Sequence, residues 1–338
     1  MRIYVLRRLL LMIPTLIGIS LVCFILIQFV PGGPVEQLIS KLQGAGSLSG
    51  ASSSEMRISA EEIENIKSYY GFDKPAHIRF LQWLKNICQL DFGDSYFYEE
   101  PVLDVIVARF PISLFFGLSS FFLSYLVCIP LGIKKAVKHG SLFDVLSSSL
   151  VYIGYVIPAY ALGILLIIYF AGGSFWNFFP MTGIVSDYHD SLSPFNQILD
   201  FLHHMVLPMI CYMLGEFAVL TILMKNSLLE EIKKDYMRTA IVKGSPFNRA
   251  VFKHAFRNAL IPIATRVSEI FTVMFAGALL IEKVFDIDGM GLLFYNSIVN
   301  RDYNVVMGMI FLMSIMSLLG KLFSDILYAV IDPRIRFK

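Results

Sequence analysis

Long uncharged runs of hydrophobic residues recur along the chain. The first, residues 9–30, follows three arginines and contains no charged side chain. A helix needs about 20 apolar residues to cross the hydrocarbon core of a membrane, so each run of this length predicts one membrane-spanning helix. Pro158 falls inside the third of these runs, at residues 145–170, and predicts a kink in that helix. The runs predict an all-α, polytopic membrane protein with six transmembrane helices, at residues 9–30, 112–133, 145–170, 205–224, 263–281 and 305–330.

The lysines and arginines between these runs predict the orientation of the chain. Residues 171–204 contain no Lys or Arg, whereas residues 225–262 contain eight. Short cytoplasmic loops of membrane proteins are enriched in these two residues, so the segment 225–262 is predicted to be cytoplasmic. Alternation from that segment places both termini inside, which is an N-in/C-in topology.

The segment 31–110 is the longest between two predicted spans and lies outside in this topology. Pro31-Gly32-Gly33-Pro34 ends the first span, and Ser59 to Glu62 has the pattern of a capping box. Short helices are therefore predicted over 59–70 and 77–89. The chain is predicted to divide into residues 1–110, the first span with an external cap, and residues 111–338, a core of five spans with a cytoplasmic loop.

Residues 225–262, called the basic segment below, show a helical pattern on both sides of a break. Apolar residues recur at helical spacing before Gly244-Ser245-Pro246, for example at Leu228 and Ile232, and again after it, at Val251 and Ala255. The pattern predicts two amphipathic helices that meet at a tight turn. It favours the docking of a cytoplasmic partner over the alternative of a solvated loop.

The composition narrows the function classes. With 56% hydrophobic and only 16% charged residues, the sequence is neither that of a soluble domain nor that of a disordered chain. A net charge of +2 argues against bulk binding of a polyanion. Four scattered cysteines suggest neither a disulfide scaffold nor a metal site. The sequence lacks the phosphate-binding pattern G-x-x-x-x-G-K-[ST], so no nucleotide hydrolysis and no enzymatic activity are predicted for this chain.

A few charged residues fall inside the predicted spans. Glu216 is near the middle of the fourth, and Arg266 and Glu269 are in the inner half of the fifth. Because a charge in the membrane is costly, such residues face protein or a water-filled path. Glu216 and Glu269 are therefore candidates either for the lining of a transport pathway or for an ion pair between helices. Lys321 and Asp325, four residues apart, are predicted to pair on one helix face.

Two stretches of the basic segment resemble a known family. Residues 235–244 (DYMRTAIVKG) and 254–262 (HAFRNALIP) are similar to the EAA loop of ABC-importer permeases, in its dipeptide/oligopeptide/nickel branch. Within that branch, residues 32–37 (GGPVEQ) and the long segment 31–110 are most similar to the YejB-type permeases, which are associated with oligopeptides and microcin C-like compounds. Further stretches that match the branch are PGGP (31–34), GFDKP (71–75), DFGDS (91–95), IE (281–282), GMG (289–291), RDY (301–303) and DPRI (332–335).

The resemblance implies a fold, a function and partners. The fold would be that of type I ABC-importer permeases, and the chain would translocate oligopeptides or peptide-like compounds across the bacterial inner membrane. It would pair with a second homologous permease, receive substrate from a periplasmic binding protein, and bind no cofactor itself, because ATP and Mg²⁺ would be held by cytoplasmic ATPase subunits. The residues implied in ATPase coupling are Arg238, Thr239, Ala240, Lys243, Gly244, Ser245, Pro246 and Arg249.

A stand-alone secondary transporter or channel is the main alternative. Such proteins often contain internal repeats with interrupted spans at matching positions, and we find no such repeat between the two halves of this sequence. A membrane enzyme is a weaker alternative, since the sequence offers no convincing catalytic set.

Overall fold

The computed structural model describes residues 2–29, 74–173 and 175–331 of the chain. These residues form α-helices and no strand; Asp94 and Pro101 make an isolated β-bridge. A 3₁₀ turn covers His189–Ser191 and a π-helical turn covers Val251–Ala255. The α-helices are α1 (Arg2–Phe29), α2 (Ala76–Ile87), α3 (Val102–Val137), α4 (Leu142–Val156), α5 (Ala159–Phe170), α6 (Pro194–Ile232), α7 (Asp235–Val242), α8 (Phe247–Ala250), α9 (Phe256–Ala259), α10 (Ile261–Arg266), α11 (Glu269–Ala276), α12 (Leu279–Phe285), α13 (Met290–Val299) and α14 (Tyr303–Ile331).

Four of these helices, α1, α3, α6 and α14, are long and apolar enough to cross a membrane. The pair α4 and α5 also meets the criterion when taken together, although it bends by 97°. The bend lies at Pro158, and the preceding Ile157 is extended, because the proline ring disfavours helical geometry at the residue before it. The predicted kink in the third span is confirmed.

The fifth predicted span, over 263–281, is not a single helix. This stretch is divided among α10, α11 and α12, with breaks at Val267–Ser268 and at Gly277–Ala278. Gly277 has a φ of +61°, a left-handed conformation that glycine adopts without steric cost and that ends a helix. The long helices in the described part of the chain therefore number four, or five with the bent pair, against six predicted crossings.

One compact unit comprises residues 10–108 and 293–315. Its α2 confirms that a helix forms over the predicted stretch 77–89, and Phe80 of α2 is buried with its ring 5.3 Å from that of Phe24. Asp302 is fully buried and accepts hydrogen bonds from the Ser95 hydroxyl and the Phe97 amide. The breaker at 31–34 and the helix predicted over 59–70 lie outside the described residues.

The other compact unit comprises residues 1–9, 109–292 and 316–338, and α6 contributes to both of its apolar clusters. The first cluster joins α6 to α3 and to the basic segment; the second joins α6 to α3 and α12. Gly132 of α3 allows close approach, because a Cβ there would lie 2.7 Å from the Met224 side chain.

A polar network ties three helices of this unit together. Asp144 of α4 pairs with Lys225 of α6 at 2.7 Å and with Lys135 of α3 at 3.5 Å. Lys135 is buried and also donates to the Ser147 and Ser148 hydroxyls. Every buried charge in this network therefore has a partner of opposite sign, which burial demands.

Asp325 of α14 does not pair with Lys321, so that prediction is wrong. Its carboxylate instead accepts a hydrogen bond from the Tyr4 hydroxyl and pairs with Arg8 at 3.0 Å. Both partners belong to the first turns of α1, which the helical spacing of Lys321 and Asp325 gave no means to anticipate.

Candidate functional site

The turn at Gly244 is built by a hydrogen-bonded helix ending. The Ser245 amide donates to the Ala240 carbonyl, and the Gly244 amide donates to the Ile241 carbonyl. Gly244 itself has a φ of +88°. This is the Schellman arrangement, in which a left-handed residue just beyond the helix satisfies its last carbonyl groups. Pro246 directly precedes α8, so the two predicted amphipathic helices meet at a tight turn, as the sequence indicated.

The inner face of the basic segment is packed into the first apolar cluster. Met237 of α7 is fully buried there, as are Val251 and Ala255 of the π-helical turn. Their neighbours include Leu220, Met224 and Leu228 of α6 and Cys128 of α3. Because interiors are close-packed, a displacement of α7 must be transmitted to the helices on which it rests.

A polar bracket holds α7 at the end of α6. Glu231 accepts hydrogen bonds from the Lys234 ammonium, the Tyr236 hydroxyl and, at 3.4 Å, the Asn258 amide. Burial, together with the hydrogen bond to Glu231, raises the pKa of Tyr236 to about 12. The bond to Glu231 also raises the pKa of Lys234, because it stabilises the charged ammonium. Both groups are therefore donors to Glu231 at neutral pH.

The outer face of the segment carries the predicted coupling residues. The Arg238 side chain is 79% exposed and makes a loose ion pair, 3.9 Å long, with Asp235. Ala240 and Ser245 are half-buried, whereas Thr239, Lys243, Gly244, Pro246 and Arg249 are exposed. Two exposed apolar residues, Val242 and Phe247, were not singled out from the sequence, and Phe252, which the pattern placed on the apolar stripe, is also exposed. The sequence could have indicated Val242, because it lies off the helical stripe of α7 that contains the buried Met237.

A cavity of about 250 Å³ lies in the same compact unit, among α3, α6, α10 and α12. We call it the ion-pair cavity, because its lining includes Glu216 and Arg266, whose side chains pair at 2.9 Å. Aromatic residues and small hydroxyls complete much of the lining, namely Phe121, Tyr125, Tyr212, Ser120 and Ser124. The ion pair between helices that was considered for Glu216 is present, and the same side chain also lines a cavity. Glu269 begins α11, but its side chain is not among those described.

A buried carboxylate fixes one wall of this cavity. Glu282 is fully buried and accepts hydrogen bonds from the Tyr212 hydroxyl and from the amides of Ala278 and Leu292. A Cβ on Gly289 would lie 2.6 Å from this carboxylate, so glycine is required there. Sequence reasoning used Glu282 only as part of a family motif and missed this role, since its donors are spread over 80 residues of chain.

Among the described residues, no group of three His, Cys, Asp or Glu side chains is arranged to hold a metal ion. All four cysteines are free.

Comparison with known proteins adds a family and several relatives. Residues 128–337 match the family described as "Binding-protein-dependent transport system inner membrane component". The chain is 45% identical to the peptidoglycan transport system permease protein YejB of Agrobacterium fabrum (strain C58), over 99% of this chain and 98% of that protein. It is 43% identical to the inner membrane ABC transporter permease protein YejB of Escherichia coli O157:H7, over 99% of each. It is 32% identical to the oligopeptide transport system permease protein AppB of Bacillus subtilis (strain 168), again over 99% of each.

Proposed function

Because this chain belongs to the family of binding-protein-dependent transport system inner membrane components, we propose that it conducts peptides or peptide-like compounds across the membrane. Membership confirms the resemblance drawn from the motifs. The chain is a multi-pass inner-membrane protein and the permease subunit of an ABC importer, and its relatives are transport permeases rather than enzymes. The observation that carries the substrate class is similarity over 99% of the chain to relatives named for oligopeptide and peptidoglycan transport.

ABC importers work with an ATPase and a substrate-binding protein. We propose in addition that a second, homologous permease completes the pathway, and that ATP and Mg²⁺ bind only to the ATPase subunits. The absence of a phosphate-binding loop pattern from the whole sequence supports hydrolysis on another chain. The proposed topology has six crossings, with both termini inside and α10 to α12 together making the fifth. The proposed division at residues 110 and 111 separates a first span and external cap from the transport core.

The basic segment is proposed to be the EAA loop and to insert as a coupling helix into a groove of the ATPase. Its outer face offers apolar contacts from Val242 and Phe247 and positive charge from Arg238, Lys243 and Arg249. Thr239, Ala240, Ser245 and Pro246 would shape the wedge around the turn at Gly244. Its inner face rests on α6 and α3. Closure of the ATPases on ATP would move this wedge and, through the packed cluster, shift the helices between two rigid arrangements.

Glu216 and Glu269 are proposed to contribute to the transport pathway. Support comes from the position of Glu216 in the wall of the ion-pair cavity. A carboxylate that faces a cavity and pairs with an arginine avoids the cost of exposure to lipid.

Site-specific crosslinking tests the docking of the basic segment. A photocrosslinking residue at Val242, which is 86% exposed, should join the chain to its ATPase in intact membranes. The yield should change when a non-hydrolysable ATP analogue is added. The matched control is Val145 on α4, an exposed valine of the bent pair, which should give no such product. A crosslink to the ATPase from Val145 and not from Val242 would overturn docking through the basic segment. Isolation of the active transporter without an ATPase would instead favour a stand-alone carrier or channel.

A further inference from the structure

The ion-pair cavity has the features of a site for one end of a peptide. We infer that Glu216 and Arg266 together bind the amino-terminal residue of a peptide, with Glu216 accepting from the free α-ammonium group and Arg266 donating to the first carbonyl. This inference rests on the proposed function for its substrate class. It adds the part of the substrate that the permease recognises and the two side chains that recognise it.

The ion pair leaves capacity for a ligand. Arg266 Nη2 contacts only one oxygen of Glu216, Oε2, at 2.9 Å. The other oxygen, Oε1, accepts no hydrogen bond from the described part of the chain. The Glu216 side chain is 45% exposed and that of Arg266 is 25% exposed. A carboxylate of the cavity lining that is held by an arginine through one oxygen, and whose other oxygen accepts no hydrogen bond, is an acceptor prepared for a cation.

A second polar group in the wall also has no partner. Ser124 of α3 is 1% exposed, and its hydroxyl oxygen has no hydrogen-bond partner among the described residues. Buried hydroxyls are nearly always hydrogen-bonded, so one that lines a cavity without a partner marks a position for a ligand or water. The Ser124 hydroxyl oxygen would accept a hydrogen bond from another N–H of the ammonium group or from the next peptide amide.

The shape of the ligand follows from the spacing of the two charges. In a peptide's first residue, the ammonium donor and the carbonyl acceptor are both attached to one Cα, so they lie side by side. Glu216 and Arg266, 2.9 Å apart, offer an acceptor and a donor side by side in the complementary order. An acetylated amino terminus loses the positive charge, whereas an amidated carboxyl terminus leaves this end unchanged.

The size of the cavity limits how much of the peptide enters. Pockets for drug-sized ligands have volumes of roughly 300–1,000 Å³, and this cavity has about 250 Å³. It therefore accommodates a terminal residue and not a folded oligopeptide. Gly215, next to Glu216, contributes to this space, since nothing lies within 4 Å of the position that a Cβ would take.

The test uses the complete transporter in proteoliposomes with its binding protein and three labelled probes: trialanine, N-acetyl-trialanine and trialanine amide. Each uptake rate is divided by the occupancy of the binding protein with the same probe, so that the preference of the binding protein cancels. We expect trialanine and its amide to be taken up equally and the acetylated peptide about tenfold more slowly, the ratio for one lost charge-assisted hydrogen bond.

Glu216→Gln should bring the ratio of free to acetylated uptake close to one. The matched control is Asp288→Asn, which removes the acid of another 2.9 Å ion pair, with Arg109, outside the cavity lining; it should keep the ratio. Gly215→Leu fills the cavity without changing charge and should slow all three probes. Gly18→Leu on α1, where a Cβ also meets open space, should slow none.

The outcomes separate this inference from the proposed function. If the wild type moves none of the three probes while its ATPase is active, the peptide assignment fails and this inference fails with it. If the wild type takes up trialanine but does not discriminate against the acetylated form, or if Glu216→Gln keeps the discrimination, the inference alone is overturned. Normal uptake by Gly215→Leu would also overturn it.

Discussion

The basic segment and the ion-pair cavity both depend on charged residues of α6, but they are assembled differently. The turn at Gly244 is fixed by hydrogen bonds among residues 239–245, and the bracket on Glu231 draws two of its three donors from the next five residues. In the cavity, Glu216 meets a partner 50 residues away, and Glu282 meets Tyr212 70 residues away. The surface proposed to dock on the ATPase is thus built from local interactions. The cavity proposed to belong to the transport pathway is built from contacts between separate helices, which can rearrange.

The largest expected effect comes from breaking the local turn. Gly244→Val should abolish transport, because a β-branched residue is strongly disfavoured at a φ of +88° and the turn must rearrange. The chain should still reach the membrane, because no neighbouring atom lies within 4 Å of the new Cβ. Uptake in proteoliposomes, with the protein level measured beside it, checks this expectation.

Gly140→Val is the matched control for that experiment. Gly140 also has a positive φ, of +76°, and open space around its Cβ position. The backbone strain is therefore comparable, but the residue lies between α3 and α4, outside the basic segment. Retained uptake in this variant would assign the loss in Gly244→Val to coupling. Equal losses in both would mean that strain alone is responsible.

The second expected effect concerns the cavity wall. Glu282→Ala should lower the free energy of unfolding by about 3 kcal/mol, because two backbone amides and the Tyr212 hydroxyl lose their buried acceptor. Tyr212→Phe removes one of these bonds and should cost about 1 kcal/mol. Denaturant unfolding of the detergent-solubilised chain gives both values. The ATPase should still dock on both variants, since the basic segment does not depend on Glu282.

A destabilisation by Glu282→Ala no larger than that by Tyr212→Phe would contradict the role assigned to the carboxylate. Loss of ATPase docking in either variant would contradict the separation of the two regions.

The same contrast explains what the sequence could predict. The amphipathic helices around Gly244, the kink at Pro158 and the helix α2 follow from signals within a few residues, and all three are present. The breaks in the fifth predicted span were missed because hydropathy counts apolar residues and does not register the left-handed Gly277. The Glu216–Arg266 pair could be raised only as one of two options, since sequence spacing does not reveal which helices are neighbours.

The third expected effect is a loosening of the bracket. Glu231→Gln keeps the shape of the side chain but removes its charge, and so weakens the hydrogen bonds from Lys234 and Tyr236. We expect a loss of about 1–2 kcal/mol in the free energy of unfolding and a partial loss of transport for each ATP hydrolysed. The ratio of uptake to ATP hydrolysis measures the coupling directly.

Glu230→Gln is the control, because Glu230 is adjacent in sequence and its side chain is 77% exposed. Its carboxylate lies 4.0 Å from the Lys234 ammonium, which makes a weak ion pair. It should leave both stability and coupling unchanged. If the two variants behave alike, the bracket does not position α7. The basic segment would then lose the main structural feature that makes it more rigid than the ion-pair cavity.

The smallest expected effect is that of Arg238→Ala, and it tests whether the outer face is more than a solvated basic loop. Its ion pair with Asp235 is long and exposed, so its loss should change the free energy of unfolding by less than about 0.5 kcal/mol. Charges at the rim of an interface act mainly on association rates and are screened by salt. Binding of the ATPase should therefore weaken several-fold at low ionic strength and little at high ionic strength.

Arg257→Ala, which removes an exposed arginine of α9 outside the predicted coupling residues, should not produce this salt dependence. Identical behaviour of the two variants would mean that the positive charge of the segment reflects membrane topology alone, and that the apolar contacts of Val242 and Phe247 carry the docking.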